Sequence, residues 1–365
     1  MSRFGHAPLR SLWFATAAAV VLAGCSDSND GGNGAPFSAE GTSSDVNAMS
    51  ATFNSPAMAS LGWAASGIDN VFGAPMVSSS FGAIQVAAPS GNLAGTARHA
   101  VQSATGFNHR NVTGVALAVL PAEALGKTFE YNPTSGQYEA TTRTGAPANG
   151  VRFIVYAINP ITEVPVEPLS EAGYADVLDE STATTNALRL QLVSGGTTYL
   201  DYGVTGAATT SGGNVVVNGF ATDGTTRVNF NLDNTISEAA NGTIGFDYRL
   251  DVPARDLALV YLITVSQLST PSALADIDVT VSGPHGDVGI TGDIVEGAGV
   301  LTASVNGAAF AVVTLGSNSE VTSITKPDGS ALTLPDYGCL AAIWGVVLKG
   351  LDVFEDLLDP VDNLL

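Results

Sequence analysis

Histidines are the first residues to test for catalysis, and only three lie outside the N-terminal 24 residues. His99 and His109 fall in a stretch of uncertain secondary structure, and His285 lies in SGPHGD, between two predicted strands. A Ser-His-Asp hydrolase needs such a histidine beside a nucleophile, and the chain has no G-x-S-x-G nucleophile elbow. We interpret all three as surface or turn residues and predict no catalytic residue.

Neighbouring carboxylates are the second group that could do chemistry. Asp176, Asp179 and Glu180 occur together in GYADVLDES, and Asp276 and Asp278 alternate in DIDV. A glycosidase needs two carboxylates that face each other across a cleft, and a calcium loop needs a D-x-D-x-D-G pattern. The sequence indicates neither. We interpret the first group as a solvated strand end and the second as the wet face of a strand, and we predict no metal site.

Cofactor motifs are the third possibility. The sequence contains no Walker loop, dinucleotide fingerprint, zinc-ligand spacing or c-type haem motif. The glycine-rich pieces TSGGN and VEGAGV are typical of single turns between strands. We therefore predict no bound cofactor and no enzymatic activity.

The two cysteines, Cys25 and Cys339, lie in very different surroundings. Cys25 follows a positive segment with Arg3 and Arg10, an apolar core of about ten residues at 12–21, and small residues, which is the pattern of a secretory signal peptide. That core is too short for a membrane-spanning helix, which needs about 20 residues. The alternative to a modified Cys25 is ordinary signal cleavage that leaves it as a thiol.

Residues Leu22-Ala23-Gly24-Cys25 resemble the lipobox of bacterial lipoprotein precursors, and the rest of the chain is similar to uncharacterised bacterial lipoproteins. The resemblance implies that residues 1–24 are a signal peptide that is removed before Cys25. It implies a diacylglyceryl group on the Cys25 thiol and a further acyl chain, such as palmitate, on the new amine. Two or more acyl chains anchor a protein stably. With Cys25 acylated, no disulfide is expected at Cys339, which we interpret as a small buried hydrophobe.

The residues after Cys25 bear on location. In the lipoproteins that the chain resembles, an aspartate after the cysteine commonly retains the protein in the inner membrane, and this chain has Ser26 there. This favours a lipid-anchored position in the outer membrane of a Gram-negative-type bacterium, facing the periplasm or the cell surface. The segment 27–41 is rich in Gly, Ser, Asn and Asp, so it cannot bury much apolar surface. We expect residues 25–50 to form a flexible tether.

Composition limits the partners. The net charge is −21, with only 13% charged residues. Such a charge repels phosphate backbones, so nucleic acid is not expected as a partner. It also disfavours adsorption to anionic lipid, so the membrane is contacted through the lipid on Cys25. The 45% hydrophobic content and 41 glycines are typical of many strands joined by tight turns.

Residues 126–335 are predicted to form one antiparallel β domain. Apolar and polar residues alternate in 228–233 and 244–252, as in a sheet with one buried and one wet face. KTFEYNPTSGQYEAT and SVNGAAFAVV indicate hairpins. VRFIVYAI (151–158) and LALVYLITV (257–265) are apolar at successive positions, which predicts strands covered on both faces. About a dozen strands follow one another without a helix-length segment, which favours a meander over βαβ units.

The β domain has a region of its own on each side. Residues 51–125 have uncertain structure and are expected to pack on the body, with a short helix weakly indicated in SPAMASLGWAASGIDNVFG. Residues 336–359 are predicted to form an amphipathic helix that Asp336 caps and Pro360 ends. Its predicted buried positions are Leu340, Ile343, Trp344, Val347, Leu351, Phe354 and Leu358.

The predicted fold is all-β: a large antiparallel meander, as a curved sheet, half-barrel or sandwich, with a C-terminal amphipathic helix. We predict a lipid-anchored cell-envelope protein that acts as a non-enzymatic scaffold or interaction module, with an envelope protein as a candidate partner. The alternative is a carrier of lipid or another hydrophobic ligand, because a sheet that curls around a helix is similar to the half-barrels of periplasmic lipoprotein and lipid carriers. A transmembrane barrel also fits the alternation, but the aromatic content of 7% counts against it.

Overall fold

The computed structural model describes residues 37–72 and 120–362, apart from residues 184, 210–211, 238–241, 269–272 and 318–319. This part of the chain forms one 15-stranded open sheet and three α-helices. The predicted β meander with a C-terminal helix is confirmed. Because all 15 strands belong to the same sheet, the sandwich form does not occur among the described residues.

The elements follow one another in chain order. The helices are α1 (Ala39–Phe53), α2 (Pro56–Phe72) and α3 (Leu334–Asp362), with a short 3-10 turn at Pro253–Arg255. The strands are β1 (Thr128–Asn132), β2 (Gln137–Ala140), β3 (Gly150–Tyr156), β4 (Glu171–Asp179), β5 (Asn186–Ser194), β6 (Thr197–Thr209), β7 (Gly212–Thr222), β8 (Arg227–Ser237), β9 (Thr243–Val252), β10 (Leu257–Ser266), β11 (Leu274–Ser282), β12 (Val288–Val295), β13 (Ala298–Val305), β14 (Ala308–Leu315) and β15 (Val321–Thr325).

Strands β3 to β15 are consecutive antiparallel neighbours, and the β1–β2 hairpin completes the sheet beyond β3. The hairpins predicted around 132–136 and 306–307 are confirmed. One pair departs from the antiparallel expectation: β1 runs parallel to β3, with Phe129 opposite Phe153. β2 ends beside the start of β1, with Ala140 opposite Phe129, and the segment 141–149 crosses past β1 at this same end, so β3 starts there and runs in the direction of β1.

Antiparallel order places successive turns at alternate ends of the sheet. We call one of them the α1 end, because α1 starts there: the Ser38 backbone N–H donates to the carbonyl of His285, in the β11–β12 turn, at 2.8 Å. The connections at the α1 end are 157–170, 195–196, 223–226, 253–256, 283–287 and 306–307.

The alternation predicted for the middle of the sheet is confirmed. In β8 and β9 the apolar series that contains Phe230 and Tyr248 is buried, whereas Asn231, Asp247 and Arg249 face the other side and are partly or fully exposed. The inner face of the sheet is therefore the apolar one. The three helices cover it: α2 contacts β2 to β5, α1 contacts β7 and β8, and α3 contacts β11 and packs on α1.

The predicted tether, residues 25–50, is wrong over its second half, because α1 begins at Ala39. The Ser38 hydroxyl oxygen caps this helix by accepting from the Gly41 N–H at 3.2 Å, which satisfies one of the free donors of the first turn. Val46, Met49 and Phe53 recur at helical spacing and are buried. The apolar positions are too sparse for composition to reveal them.

The uncertain region 51–125 contains the longer helix α2, which has 17 residues. A capping contact supports its start, because the Met58 N–H donates to the Ser55 hydroxyl oxygen at 3.4 Å. The region's remaining predictions, including those for His99 and His109, lie in 73–119, outside the described residues.

The C-terminal helix α3 is longer than predicted at both ends, and Pro360 does not end it. A proline removes one intrahelical hydrogen bond and crowds the carbonyl four residues before it, yet the helix continues for two residues after Pro360. Leu340, Ile343 and Val347 are buried as predicted. Trp344 is only partly buried, and the side chains of Phe354 and Leu358 lie outside the described part of the helix.

The two strands predicted to be covered on both faces differ from each other. β3 is buried at six of its seven positions, with only Arg152 partly exposed, so that prediction is confirmed. In β10 the inward residues are buried, but Val260 and Leu262 are partly exposed and Thr264 is exposed. The prediction of two-sided cover is therefore wrong for β10, because strand neighbours with polar side chains flank its outward residues.

Candidate functional site

The acidic group has a structural role, and the prediction of a solvated strand end is wrong for Asp176. Asp176 is buried in β4 and accepts two hydrogen bonds from Arg152, Nε–Oδ1 and Nη2–Oδ2, both at 2.7 Å. These bonds to Asp176 raise the pKa of Arg152 above its usual range. Asp179 accepts from the backbone N–H groups of Leu120 and Ser181 at 3.2 and 3.0 Å. Both carboxylates are thus engaged in tying segments together and do not face each other across a cleft.

The second acidic pair lies where it was predicted. Asp276 and Asp278 are exposed on the outer face of β11, so the prediction of a wet strand face is confirmed. Within the described ranges, no group of three or more His, Cys, Asp or Glu side chains is arranged to hold a metal ion. The described residues therefore suggest no metal centre.

One polar cluster was not predicted from the sequence, because one of its residues lies on α1, where a tether was expected. Asp45 is 6% exposed on this helix, and its Oδ1 accepts from Nη1 of Arg255 at 2.8 Å. Its Oδ2 lies 3.5 Å from Nε2 of His285, a close contact without hydrogen-bond geometry. Arg255 and His285 lie in two different turns at the α1 end of the sheet, so this cluster attaches α1 to the rim of the sheet.

His285 is placed by backbone contacts as well as by Asp45. Its ring lies directly against Gly41, so closely that any side chain at position 41 would collide with it. Its carbonyl accepts the hydrogen bond from Ser38 that starts α1. The local sequence SGPHGD forms the turn, and Gly286 has a φ of +90°, which a glycine adopts without strain. The predicted turn position of His285 is confirmed.

The Asp45 cluster resembles part of a catalytic arrangement but is incomplete. A hydrolase triad needs a hydroxyl or thiol hydrogen-bonded to the histidine, and none of the described residues provides one to His285. The buried Thr42 hydroxyl, one turn before Asp45, has no hydrogen-bond partner. What the arrangement can do is hold a helix in place by charge, which favours a structural role.

The apolar face of the sheet is the other place where a ligand could bind, and helices occupy it. Val46 of α1, Leu61 of α2 and Ile343 of α3 have no exposed surface. The contact between α3 and β10 is especially close: the Tyr261 hydroxyl donates to the Val347 carbonyl at 2.8 Å, and Gly350 lies where any side chain would collide with Tyr261. At these described positions, side chains of the protein's own helices therefore cover the apolar face.

Cys339 differs from its prediction. It is buried in α3, with 2% exposure, as expected for a small hydrophobe. However, it is disulfide-bonded, so the expectation of no disulfide is wrong for this structure. The chain has one other cysteine, Cys25, and a sulfur atom that forms a disulfide cannot also carry a diacylglyceryl group. An intrachain disulfide and acylation of Cys25 therefore exclude each other.

The segment Leu334–Leu351 of α3 has the length and the mean hydropathy, 1.2, of a membrane-spanning helix, and 33% of it is buried in the protein. Its inward residues pack on α1 and β11. A core helix of a globular domain has these properties too, so the segment alone is weak support for a membrane span.

No protein family, curated protein or solved structure that we compared with this chain matches it. Its function must therefore be argued from its own residues.

Proposed function

We propose that this protein is a lipid-anchored cell-envelope protein whose β body acts as a non-enzymatic scaffold or interaction module. The observation that carries the proposal is the sequence Leu22-Ala23-Gly24-Cys25 directly after a short apolar core with Arg3 and Arg10 before it. This order of positive, apolar and small residues marks an exported chain. The thiol at its end is the acceptor for acyl chains, and two or more chains hold a protein at a membrane stably.

The geometry of the body supports a scaffold over an enzyme or a carrier. The carboxylates with buried positions, Asp45 and Asp176, are each paired with an arginine. The helices α1, α2 and α3 lie on the inner face of the sheet, the face on which a carrier would hold its ligand. Side chains of the protein that are buried there and carboxylates that are paired with arginines support a body that offers its surfaces to partners.

The direct test is metabolic labelling of the full chain with a radioactive or clickable fatty acid, followed by detergent partitioning. The parent protein should take up label and enter the detergent phase, whereas Cys25→Ser should do neither. Cys339→Ser is the matched control, because it removes the other thiol and should keep the label. Equal labelling of the parent and Cys25→Ser would contradict the anchor.

Intact mass measurement decides between the two fates of the thiols. The acylated protein has the mass of residues 25–365 plus its acyl groups, and Cys339 is then alkylated by iodoacetamide after denaturation without reductant. A chain that lacks acyl groups and becomes alkylated only after reduction is disulfide-linked, and this result would overturn the proposed anchor.

Organic extraction tests the carrier alternative. The purified mature protein should release no lipid in stoichiometric amount once its covalent acyl chains are accounted for. Release of one equivalent of a non-covalent lipid would contradict the scaffold and show that the helices leave room for a ligand.

A further inference from the structure

The β3–β4 connection, residues 157–170, carries the most exposed large apolar side chain of the described chain. Ile161 is 89% exposed, and Val164 and Val166 in the same loop are 50% and 40% exposed. We call these three residues the loop tip. Scattered exposed apolar residues are normal, but a group of them on one projection marks an interaction site.

The loop is held in shape by its own hydrogen bonds. The Asn159 side-chain oxygen accepts from the Ile161 N–H at 2.9 Å, and the Asn159 N–H donates to the Val164 carbonyl at 2.9 Å. Closer to the sheet, the Val166 N–H donates to the Ala157 carbonyl at 2.9 Å. The loop is therefore a small hairpin that presents its apolar tip in a fixed shape, so little conformational entropy is lost when the tip is covered.

The position of the loop indicates what it meets. It lies at the α1 end of the sheet, eight strand positions along from the β11–β12 turn that Ser38 bonds, near which the described chain begins. Leu334, which is 81% exposed and is the second most exposed large apolar residue, also lies at this end, at the start of α3. If the chain is anchored at Cys25, the 12 residues of 25–36 span at most about 40 Å. The anchor would thus hold this end of the body near the membrane.

The chemistry of the loop favours lipid over a charged partner. Residues 157–170 contain two carboxylates, Glu163 and Glu167, and no Lys or Arg. The loop therefore gains nothing from anionic headgroups, and the favourable contribution is burial of aliphatic side chains at a neutral interface. We propose that the loop tip inserts into the zwitterionic lipid of the membrane that holds the anchor; this inference rests on the proposed lipid anchor.

The test places a fluorophore at the tip in the mature, full-length protein. Ile161→Trp is reconstituted in vesicles of phosphatidylethanolamine and phosphatidylcholine that contain brominated acyl chains. An inserted residue lies about 5–10 Å below the headgroups, so we expect a blue-shifted emission and quenching of about half of the intensity that the substitution adds. Val321→Trp is the matched control, because Val321 is a 55% exposed valine at the opposite end of the sheet; its emission should stay unquenched.

Flotation of the same vesicles separates the two proposals. A protein that floats while the emission of Ile161→Trp stays unquenched keeps its anchor but overturns insertion of the tip, as would be found if a protein partner covers the loop. A protein that does not float overturns the anchor. In that case unquenched emission overturns insertion as well, whereas quenching on added vesicles would show that the tip binds lipid by itself.

Discussion

Strands β3 and β10 have similar sequences and opposite surroundings. VRFIVYAI and LALVYLITV are both apolar at successive positions apart from Arg152 and Thr264, yet β3 is buried on both faces and β10 on its inner face only. The difference comes from what lies over the outer face of each strand. A continuous apolar run therefore shows that both faces of a strand can be buried, but it does not show that both faces are buried.

Other parts of the chain cover both faces of β3. On the inner face, Phe153 stacks on Phe129 with ring centroids 5.0 Å apart and meets Tyr138 edge-on at 5.6 Å. On the outer face, Arg152 lies 3.6 Å above the ring of Tyr174. The segment 141–149 returns along this side, and its Arg143 donates to both Glu130 and Glu171. This segment, whose Gly145 lies close to Nη1 of Arg152, contributes to the cover of the outer face.

β10 has no such segment over its outer face among the described residues. Val260 lies opposite Arg249 of β9 and Thr280 of β11, and Leu262 lies opposite Asp247 and Asp278. Polar neighbours on both sides keep this surface in contact with water. The exposure of Val260 is only partial, because the aliphatic stem of an arginine such as Arg249 can cover part of a valine. On the inner face, α3 packs so closely that Tyr261 bonds its backbone.

The largest expected effect contrasts one outward residue from each strand. Ile154 is 2% exposed on β3, so Ile154→Ala should lower the free energy of unfolding by about 3 to 4 kcal/mol, through lost burial and a new cavity. Leu262→Ala is the matched change on β10 and should cost less than about 1 kcal/mol, because Leu262 is already partly in water. Urea unfolding of the mature protein measures both. Equal losses would mean that the two outer faces are covered alike.

The sequence predicted the buried face of a strand correctly where one face is buried and the other is in contact with water. The alternation of Phe230 with Asn231, and of Tyr248 with Arg249, identified the buried face of β8 and β9 because side chains of a strand point alternately to its two faces. It failed where the cover comes from elsewhere in the chain. Nothing near 151–158 indicates that Arg143 lies over this side of the sheet and bonds Glu130 and Glu171.

The Asp45 cluster is the clearest case of a site that local patterns cannot reveal. Asp45 and Arg255 are separated by 210 residues, and Asp45 lies in a segment whose polar composition predicted a tether. Helix α1 is stable because it packs in a groove formed by β7, β8 and α3, which is a tertiary effect that outweighs composition. The local contribution to this helix is the Ser38 cap at its start.

A smaller effect is expected for two ion pairs, one on the outer face at β3 and the other on the outer face beside β10. Arg152 and Asp176 are mostly buried, with side chains 20% and 10% exposed, whereas Arg249 and Asp247 are 55% and 39% exposed. Arg152→Ala leaves the Asp176 carboxylate buried without its partner and should cost about 2 kcal/mol, somewhat less than for a fully buried pair. Arg249→Ala should cost less than about 0.5 kcal/mol.

The salt dependence of the free energy of unfolding distinguishes the loss of an exposed ion pair from the loss of a buried one. The free energy of unfolding of the parent and of Arg249→Ala should converge as salt screens the exposed pair, whereas the deficit of Arg152→Ala should persist. A deficit of Arg152→Ala that disappears in high salt would show that the outer face of β3 is as wet as that of β10.

The smallest effect concerns two carboxylates that face each other on the open outer face. Asp233 of β8 lies opposite Asp247 of β9, and its Oδ1 is buried without a hydrogen-bond partner. Burial, and then the charge of Asp247, raise the pKa of Asp233 above its usual range. The folded state therefore binds a proton on Asp233 more tightly than the unfolded state does. The contribution of Asp233 to the free energy of unfolding falls as pH rises from the ordinary pKa of an aspartate to the raised pKa in the folded state.

Replacing Asp233 with a neutral amide should remove that penalty. Asp233→Asn should raise the free energy of unfolding at neutral pH by about 0.5 kcal/mol, the scale of a like-charge pair across two strands. The gain should vanish below about pH 3.9, where Asp233 is protonated in both states. Asp278→Asn is the matched control, because Asp278 is exposed opposite Leu262 and Thr291, with no carboxylate directly across from it, so its replacement should not raise the free energy of unfolding at neutral pH. A gain from Asp233→Asn that stays constant from pH 3 to 7 would show that charge repulsion is not its cause.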